Sequence, residues 1–442
     1  MMNQHKVVIV GGGFGGLYAA MALRKASVEV TLLDRRNFHL FQPLLYQVAT
    51  GGLSPANIAA PLRGILKRQK NCRVLMGDVV DFDLSAKKVL LQDGDAVPFD
   101  SLVLATGSTH HYFGHDADWA PHAPGLKTIE DATAIRRDVL GAFEAAEREA
   151  DLEHRKKLLT FVVVGGGPTG VEMAGAIAEL AHITMRNDFR SIDPKAARVI
   201  LVEGQTRLLG TFHPKLSEAA AVSLQRMGVE VWLDCHVNEV TADHVLFESD
   251  ATKDSHRIET NNVVWAAGVK ASPLGRKLAE KVGPTVEVDR GGRLTVTPDC
   301  SLPGQPNLFI VGDLASFKGP DGKPLPGLAP VAMQQGRYVA EVIANRIKGR
   351  TPLAPFKYWD KGTMATIGRS RAVAETSGIQ LTGFIAWLAW LFIHILYLAQ
   401  FENRVMVVFQ WFWNFITRNR AARLITNERP REVAVPVAMP MK

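Results

Sequence analysis

Glycines at fixed spacing are the first residues in this sequence that could do chemistry. Gly11-Gly12-Gly13-Phe14-Gly15-Gly16 and Gly165-Gly166-Gly167-Pro168-Thr169-Gly170 both carry the G-x-G-x-x-G spacing. In such a loop the first glycine permits a tight turn, the second lets the backbone approach a pyrophosphate, and the third lets a helix pack close to its strand. Phosphates would meet free N–H groups and the positive end of that helix. Each loop has a matching carboxylate. Asp34, followed by Arg35, stands 18 residues beyond Gly16, and Glu203 stands 33 residues beyond Gly170. A carboxylate there accepts hydrogen bonds from ribose hydroxyls and repels a 2′-phosphate. Glu203 therefore favours NADH over NADPH, with Arg207 nearby acting against that preference.

The elements that must hold these loops are legible around them. Lys6 to Val10 and Phe161 to Val164 are short apolar runs of the kind buried in a parallel sheet, and helical patterns follow at Leu17 to Ala26 and Val171 to Ala181. Second strands are expected at Val28 to Leu33 and Val199 to Val202, with the stretch from Arg186 to Ala197 as an insertion in the second unit. Leu102 to Gly107 reads as a strand returning to the small-residue turn Ala105-Thr106-Gly107. Leu308 to Asp313 reads as a strand ending in Gly312 and a carboxylate. The expected fold is α/β, with two Rossmann-like dinucleotide-binding units. Two bound dinucleotides are most productive when a nicotinamide donor faces a flavin.

A chain of 442 residues, 47% hydrophobic and 21% charged, is long enough for two or three domains. The apolar run at Val7 leaves no room for a secretory leader, so the bulk of the chain is expected in the cytoplasm. Cys72, Cys235 and Cys300 are far apart. They argue against a disulfide framework, a zinc site or attached haem. The net charge of +7 gathers at the end, where eleven Lys or Arg face five Asp or Glu from Phe356 onward, together with five of the eight tryptophans. From Thr376 to Phe401 no Asp, Glu, Lys or Arg occurs. Within that run Trp387, Trp390, His394, Tyr397 and Phe401 form an aromatic stripe, and Phe384, Leu388, Leu391, Ile395 and Leu398 an aliphatic one. Arg404 to Thr417 reads as an interfacial helix, followed by Arg418, Arg420 and Arg423. Basic residues with tryptophan on greasy segments suit a membrane interface and exclude nucleic acid as the expected partner. One-leaflet attachment is expected over a span, and an aromatic dimer interface is the competing reading of the same helices.

In this order the motifs resemble those of the two-dinucleotide-binding-domain flavoproteins over about residues 5 to 350. The resemblance implies FAD on the first loop, NADH on the second, Asp313 on the flavin ribityl chain, and Ala267-Gly268 at the exit of the NAD unit. Within that superfamily the chain most resembles type II NADH dehydrogenases, single-subunit NADH:quinone oxidoreductases. The resemblance is carried by Asn37 to Thr50, Glu172, Met333-Gln334-Gln335-Gly336, and Tyr358 to Gly368. The family's quinone-side motif often reads Ala-Gln-x-Ala-x-Gln, whereas Pro330 stands here at the first glutamine position. The resemblance implies an FAD domain over residues 1–125 and 290–350, an NADH domain over 155–289, and a helical membrane-attachment region over 356–442. It further implies catalytic roles for Glu172 and Gln334 and a lipid quinone as acceptor. The protein would sit peripherally on the cytoplasmic side of the inner membrane, without proton pumping, and a homodimer stays open. Phe38 to Gly52 contains no cysteine, which excludes thiol chemistry beside the flavin. A soluble NADH-dependent reductase of a small carrier and a flavoprotein redox sensor remain alternatives.

Overall fold

Val7, Val8, Ile9 and Val10 are all buried, as a central strand requires when both faces of its sheet are covered. In the computed structural model, which describes residues 4–376 and 378–426, the strand His5–Val10 lies at the middle of a six-stranded sheet. Across that sheet the order is Ser301–Leu302, Gln305–Ile310, Ser101–Leu104, His5–Val10, Val28–Asp34 and Cys72–Met76. All neighbours are parallel except the first pair. Strands from before and after the second unit thus share one sheet. A second, wholly parallel sheet runs Val229–Trp232, Arg198–Val202, Thr160–Val164, Asn262–Trp265. The two units are tied by a short antiparallel pairing of Ser108–His110 with Val269–Ala271.

The two glycine loops are built alike. Gly11 (φ +104°) and Gly165 (φ +108°) sit in a backbone region closed to residues with a Cβ. A Cβ on Gly16 would fall 1.8 Å from the Gly11 carbonyl oxygen, and one on Gly170 1.7 Å from that of Gly165. This is how the helices Phe14–Ala22 and Pro168–Glu179 come so close to their strands.

The C-terminal region contains more than the expected helices. An antiparallel sheet of Thr363–Ile367, Arg371–Thr376 and Ile379–Thr382 precedes them. The helices then run Gly383–Tyr397 and Phe401–Thr417. Ala386, Trp390, Leu398 and Val407 are buried in the same core as the helix Pro168–Glu179. Phe384, Ile385, Leu388 and Phe392 on the first helix, and Phe409, Phe412 and Ile416 on the second, are exposed. The aromatic stripe faces the protein except for the exposed Phe401, and of the aliphatic stripe only Phe384 and Leu388 face outward, Leu391 and Ile395 packing against the core and Leu398 being buried. Among the described residues no helix is long and apolar enough to cross a membrane.

Candidate active site between two nucleotide loops and the C-terminal helices

Both loop carboxylates reach back to their own glycine loops. Asp34 Oδ2 accepts the Gly12 N–H at 2.5 Å, and its Oδ1 accepts the Arg36 N–H at 2.7 Å. Burial, opposed by these two hydrogen bonds, holds the Asp34 carboxyl above the usual carboxylate range. Glu203 repeats the arrangement, accepting the Gly166 N–H at 2.5 Å and the Gln205 N–H at 2.8 Å. Arg35 is exposed beside Asp34, and Arg207 donates to the Gly210 carbonyl.

A dinucleotide needs room at the middle glycines and donors aimed at it. A Cβ on Gly13, Gly107 or Gly167 would meet nothing within 4 Å, so the approach to each is open. The Thr106 hydroxyl, in the turn after Ala105, is buried with no partner among the described residues. Asp313 accepts from the Ser108 hydroxyl at 2.6 Å, and that hydroxyl accepts from the Lys127 ammonium at 3.0 Å. Gln335 is buried, and its Oε1 accepts the Gly312 N–H at 2.8 Å. These groups could hold FAD along the first loop, with Asp313 and Thr106 as candidate partners, and NADH along the second. Ser108 and Lys127 were not singled out from the sequence, since a lone lysine before the helix Ile129–Arg148 carries no spacing signal. The Thr-x-x-Asp capping box at Thr128 was the available clue to that helix.

Glu172 stands in the first turn of the second loop helix. Its side chain is mostly covered by protein, and burial pushes its carboxyl up to about 8. The Thr366 N–H donates to it at 3.4 Å, the one contact opposing that rise. From Thr366 a line of side chains leads to the C-terminal helices. The Thr366 and Tyr46 hydroxyls are 2.9 Å apart, Gln47 Nε2 donates to the Tyr46 hydroxyl at 3.0 Å, and the Trp411 indole N–H donates to Gln47 Oε1 at 2.7 Å. Tyr46, Gln47, Thr366 and Trp411 are residues whose roles only the fold reveals. The first three lie in segments the sequence marked as family-like, with no hint of a line between them.

Gln334 makes two contacts with the start of the C-terminal region. Its Nε2 donates to the Trp359 carbonyl and its Oε1 accepts the Trp359 N–H, both at 3.0 Å, so it clamps the start of the C-terminal region to the helix Ala329–Ile347. His39 is buried, its Nδ1 2.9 Å from the Gly12 carbonyl. His394 Nδ1 lies 2.7 Å from the Trp390 carbonyl, its ring stacked on the Trp390 indole, and burial lowers it to about 4, so it stays neutral.

Comparison with known proteins decides among flavoproteins of this shape. The family model described as pyridine nucleotide-disulphide oxidoreductase matches residues 5–336, and the NDH2 C-terminal domain model matches residues 360–419. The chain is 46% identical to the type II NADH:quinone oxidoreductase Ndh of Mycobacterium tuberculosis, over 97% of this chain and 91% of that one. It is 47% identical to NdhA of the same organism, over 96% and 90%. This chain belongs to the type II NADH:quinone oxidoreductases. It is an FAD-dependent enzyme that oxidises NADH and reduces a quinone. Among solved structures, NDH2 from Plasmodium falciparum in complex with NADH shares the fold with a TM-score of 0.85. That match has 20% identity and covers 96% of this chain and 100% of that one. The sulfide:quinone oxidoreductase of Aquifex aeolicus shares the fold less fully, at a TM-score of 0.68 and 18% identity, over 94% and 92%. In this type II enzyme Cys72, Cys235 and Cys300 are all free thiols, and none lies in the segment from Phe38 to Gly52.

Proposed function

We propose that this type II enzyme takes its quinone from a bilayer surface and that Glu172 is the proton-bearing group on the quinone side. FAD, when bound, supplies the redox chemistry by accepting hydride from NADH and passing two electrons to the quinone. The chain's own residues position the partners. Residues 1–125 and 290–350 form the FAD domain in this reading, supported by the strand Gln305–Ile310 joining the sheet of residues 5–104. Residues 155–289 form the NADH domain, where Glu203 selects NADH through the ribose hydroxyls.

The observation that carries the reading is the raised carboxyl of Glu172 at one end of a hydrogen-bonded line whose other end is Trp411 on the C-terminal helix. A carboxyl that keeps its proton at neutral pH can give it to a reduced acceptor and be refilled. The exposed faces of the helices Gly383–Tyr397 and Phe401–Thr417 supply the lipid contact, with Arg418 beside them for anionic headgroups. Attachment in this reading is to one leaflet, on the cytoplasmic face. The helix Gly383–Tyr397 carries His394 and no other ionisable group except Tyr397, so we read the reaction as uncoupled from proton pumping. Gln334 holds Trp359 in place and contributes indirectly.

The test is sequential anaerobic absorbance of the purified full chain. NADH should bleach the flavin bands, and a quinone in lipid vesicles should restore them. Restoration by a water-soluble carrier protein but not by a quinone would overturn the proposal.

A further inference from the structure

Arg420 and Arg423 read in the sequence as part of a basic membrane interface, yet in the folded chain both turn inward. The helix Phe401–Thr417 ends at Arg418, whose left-handed backbone (φ +58°) reverses the chain. Residues 419–426 then run back over the protein as a strap. Arg136, itself buried, donates to the Ala422 carbonyl at 3.2 Å and to the Thr426 hydroxyl at 3.3 Å. Arg423 pairs with Asp188, and its backbone lies against Gly51, where an added Cβ would fall 3.2 Å from the Arg423 Cα.

Arg420 goes deepest. Its Nη1 donates to the Thr50 carbonyl at 3.1 Å and to the Ala176 carbonyl at 3.2 Å, and its Nη2 donates to Glu179 at 3.1 Å. Thr50 closes the helix Leu45–Ala49. Ala176 and Glu179 belong to the helix Pro168–Glu179, with Ala176 one turn beyond Glu172. A single side chain from beyond the helix Phe401–Thr417 thus fastens the helix that carries Tyr46 to the helix that carries Glu172.

What it joins gives the fastening its consequence. A helix of one turn has too few internal bonds to hold its own place, and its last carbonyls have no partner within it. Tyr46 lies one turn before that open end, and its carbonyl accepts the Thr50 hydroxyl at 2.9 Å, so a shift of Thr50 is passed to Tyr46. The Tyr46 hydroxyl is the middle of the line from Glu172 through Thr366 to Gln47. A displacement of about 0.5–1 Å is enough to break such a bond. The charge acts as well as the reach. Burial raises the Tyr46 phenol and the nearby Glu172 adds to the rise, while Thr366, Gln47 and the Arg420 cation oppose it.

We propose that Arg420 is a positioning residue for the quinone half-reaction, setting the spacing between the Tyr46 helix and the Glu172 helix and keeping the Glu172 carboxyl dry. The proposal rests on Glu172 being the proton-bearing group, and Arg420 acts on it through the two helices it joins.

The test uses full-length enzyme with FAD bound, in detergent, in anaerobic stopped flow with NADH and then 2-methyl-1,4-naphthoquinone. Arg420→Met removes the donors and keeps most of the side chain's length. Reoxidation of the reduced enzyme should slow by about ten- to a hundredfold, the scale of a small misplacement away from the chemistry, while reduction by NADH changes little. The inflection that Glu172 gives near pH 8 should move downward, because a carboxyl reached by water returns towards its ordinary 4.5. Added to Glu172→Gln, Arg420→Met should slow reoxidation little further, since both act on one line. Arg420→Lys keeps the charge and part of the bonding, and should recover part of the rate. Arg423→Met, which frees the strap from Asp188 alone, should leave both half-reactions unchanged. If Arg420→Met does not retain its flavin, Arg420→Lys carries the same comparison. Equal slowing of both half-reactions, an inflection that does not move, effects of Arg420→Met and Glu172→Gln that multiply in full, or the same loss in Arg423→Met would each overturn the proposal. Indifference of reoxidation to Glu172→Gln itself would instead sink the reading of Glu172 on which it stands.

Discussion

Glu172→Gln puts the proposed role of the raised carboxyl under direct test. With its carboxyl held up to about 8 by burial, Glu172 is about nine-tenths protonated at pH 7. Gln keeps the size and the neutral state and removes the transferable proton. Loss of a positioned acid typically costs about 10²- to 10⁴-fold in rate. In anaerobic stopped flow, quinone oxidation of the reduced enzyme should therefore slow by about a hundredfold or more, while reduction of the flavin by NADH changes little. The pH profile adds a second reading. Quinone reduction by the unaltered enzyme should fall as pH rises through about 8, and that inflection should vanish in the variant.

Stability follows the same proton. A folded carboxyl raised from 4.5 costs nothing below pH 4.5 and destabilises increasingly as pH rises towards 8. At 1.36 kcal/mol per pH unit this amounts to roughly 3 kcal/mol between pH 6 and 9. The residual exposure of the side chain reduces the expectation to about half of that. The unaltered enzyme should lose this stability on going from pH 6 to pH 9, and Glu172→Gln should not. Equal slowing of both half-reactions, or pH profiles that superimpose, would refute the reasoning.

Other outcomes follow from the same geometry. Glu203→Ser removes the carboxylate at the second ribose and should raise the ratio of NADPH to NADH kcat/KM by about tenfold, on the order of 1.4 kcal/mol. An unchanged ratio in steady-state assays would remove Glu203 from selectivity. Glu179→Gln leaves Arg420 facing a neutral partner in a site where the two side chains are 8% and 11% exposed. Breaking such a pair costs about 3–5 kcal/mol, so Tm should drop by several degrees, and a shift under one degree would contradict burial of the pair. Phe409→Asp with Phe412→Asp alters the exposed face of the helix Phe401–Thr417 alone. Each phenylalanine is worth about 1.5–3 kcal/mol on burial, so vesicle co-sedimentation should weaken by about a hundredfold or more with NADH:ferricyanide turnover intact. Undiminished binding would move the lipid contact elsewhere.

The sequence by itself determined the two glycine units, because their chemistry is local. A turn at Gly11 or Gly165, a helix packed against its own strand, and a carboxylate ending the next strand all lie within a short stretch of chain. It pointed to a two-sided first C-terminal helix but not to which side is which, since Ile385 and Phe392 are exposed outside the aliphatic stripe while its Leu398 is buried. It did not disclose the antiparallel sheet from Thr363 to Thr382, whose strands are short and whose pairing partners define them. The sequence also did not disclose that the Gln334 amide bonds both backbone groups of Trp359, 25 residues away.

What only the tertiary structure decided is which residues from distant segments meet. Tyr46 reaches Thr366 across 320 positions, and Gln47 reaches Trp411 across 364. The raised carboxyl of Glu172 depends on burial, and that the Trp390 N–H has no acceptor among the described residues is visible only in the packed chain. Backbone conformation and strand–helix order are written in neighbouring residues. Desolvation and hydrogen-bond partnership are properties of the packed chain, set by groups that sequence spacing does not bring together.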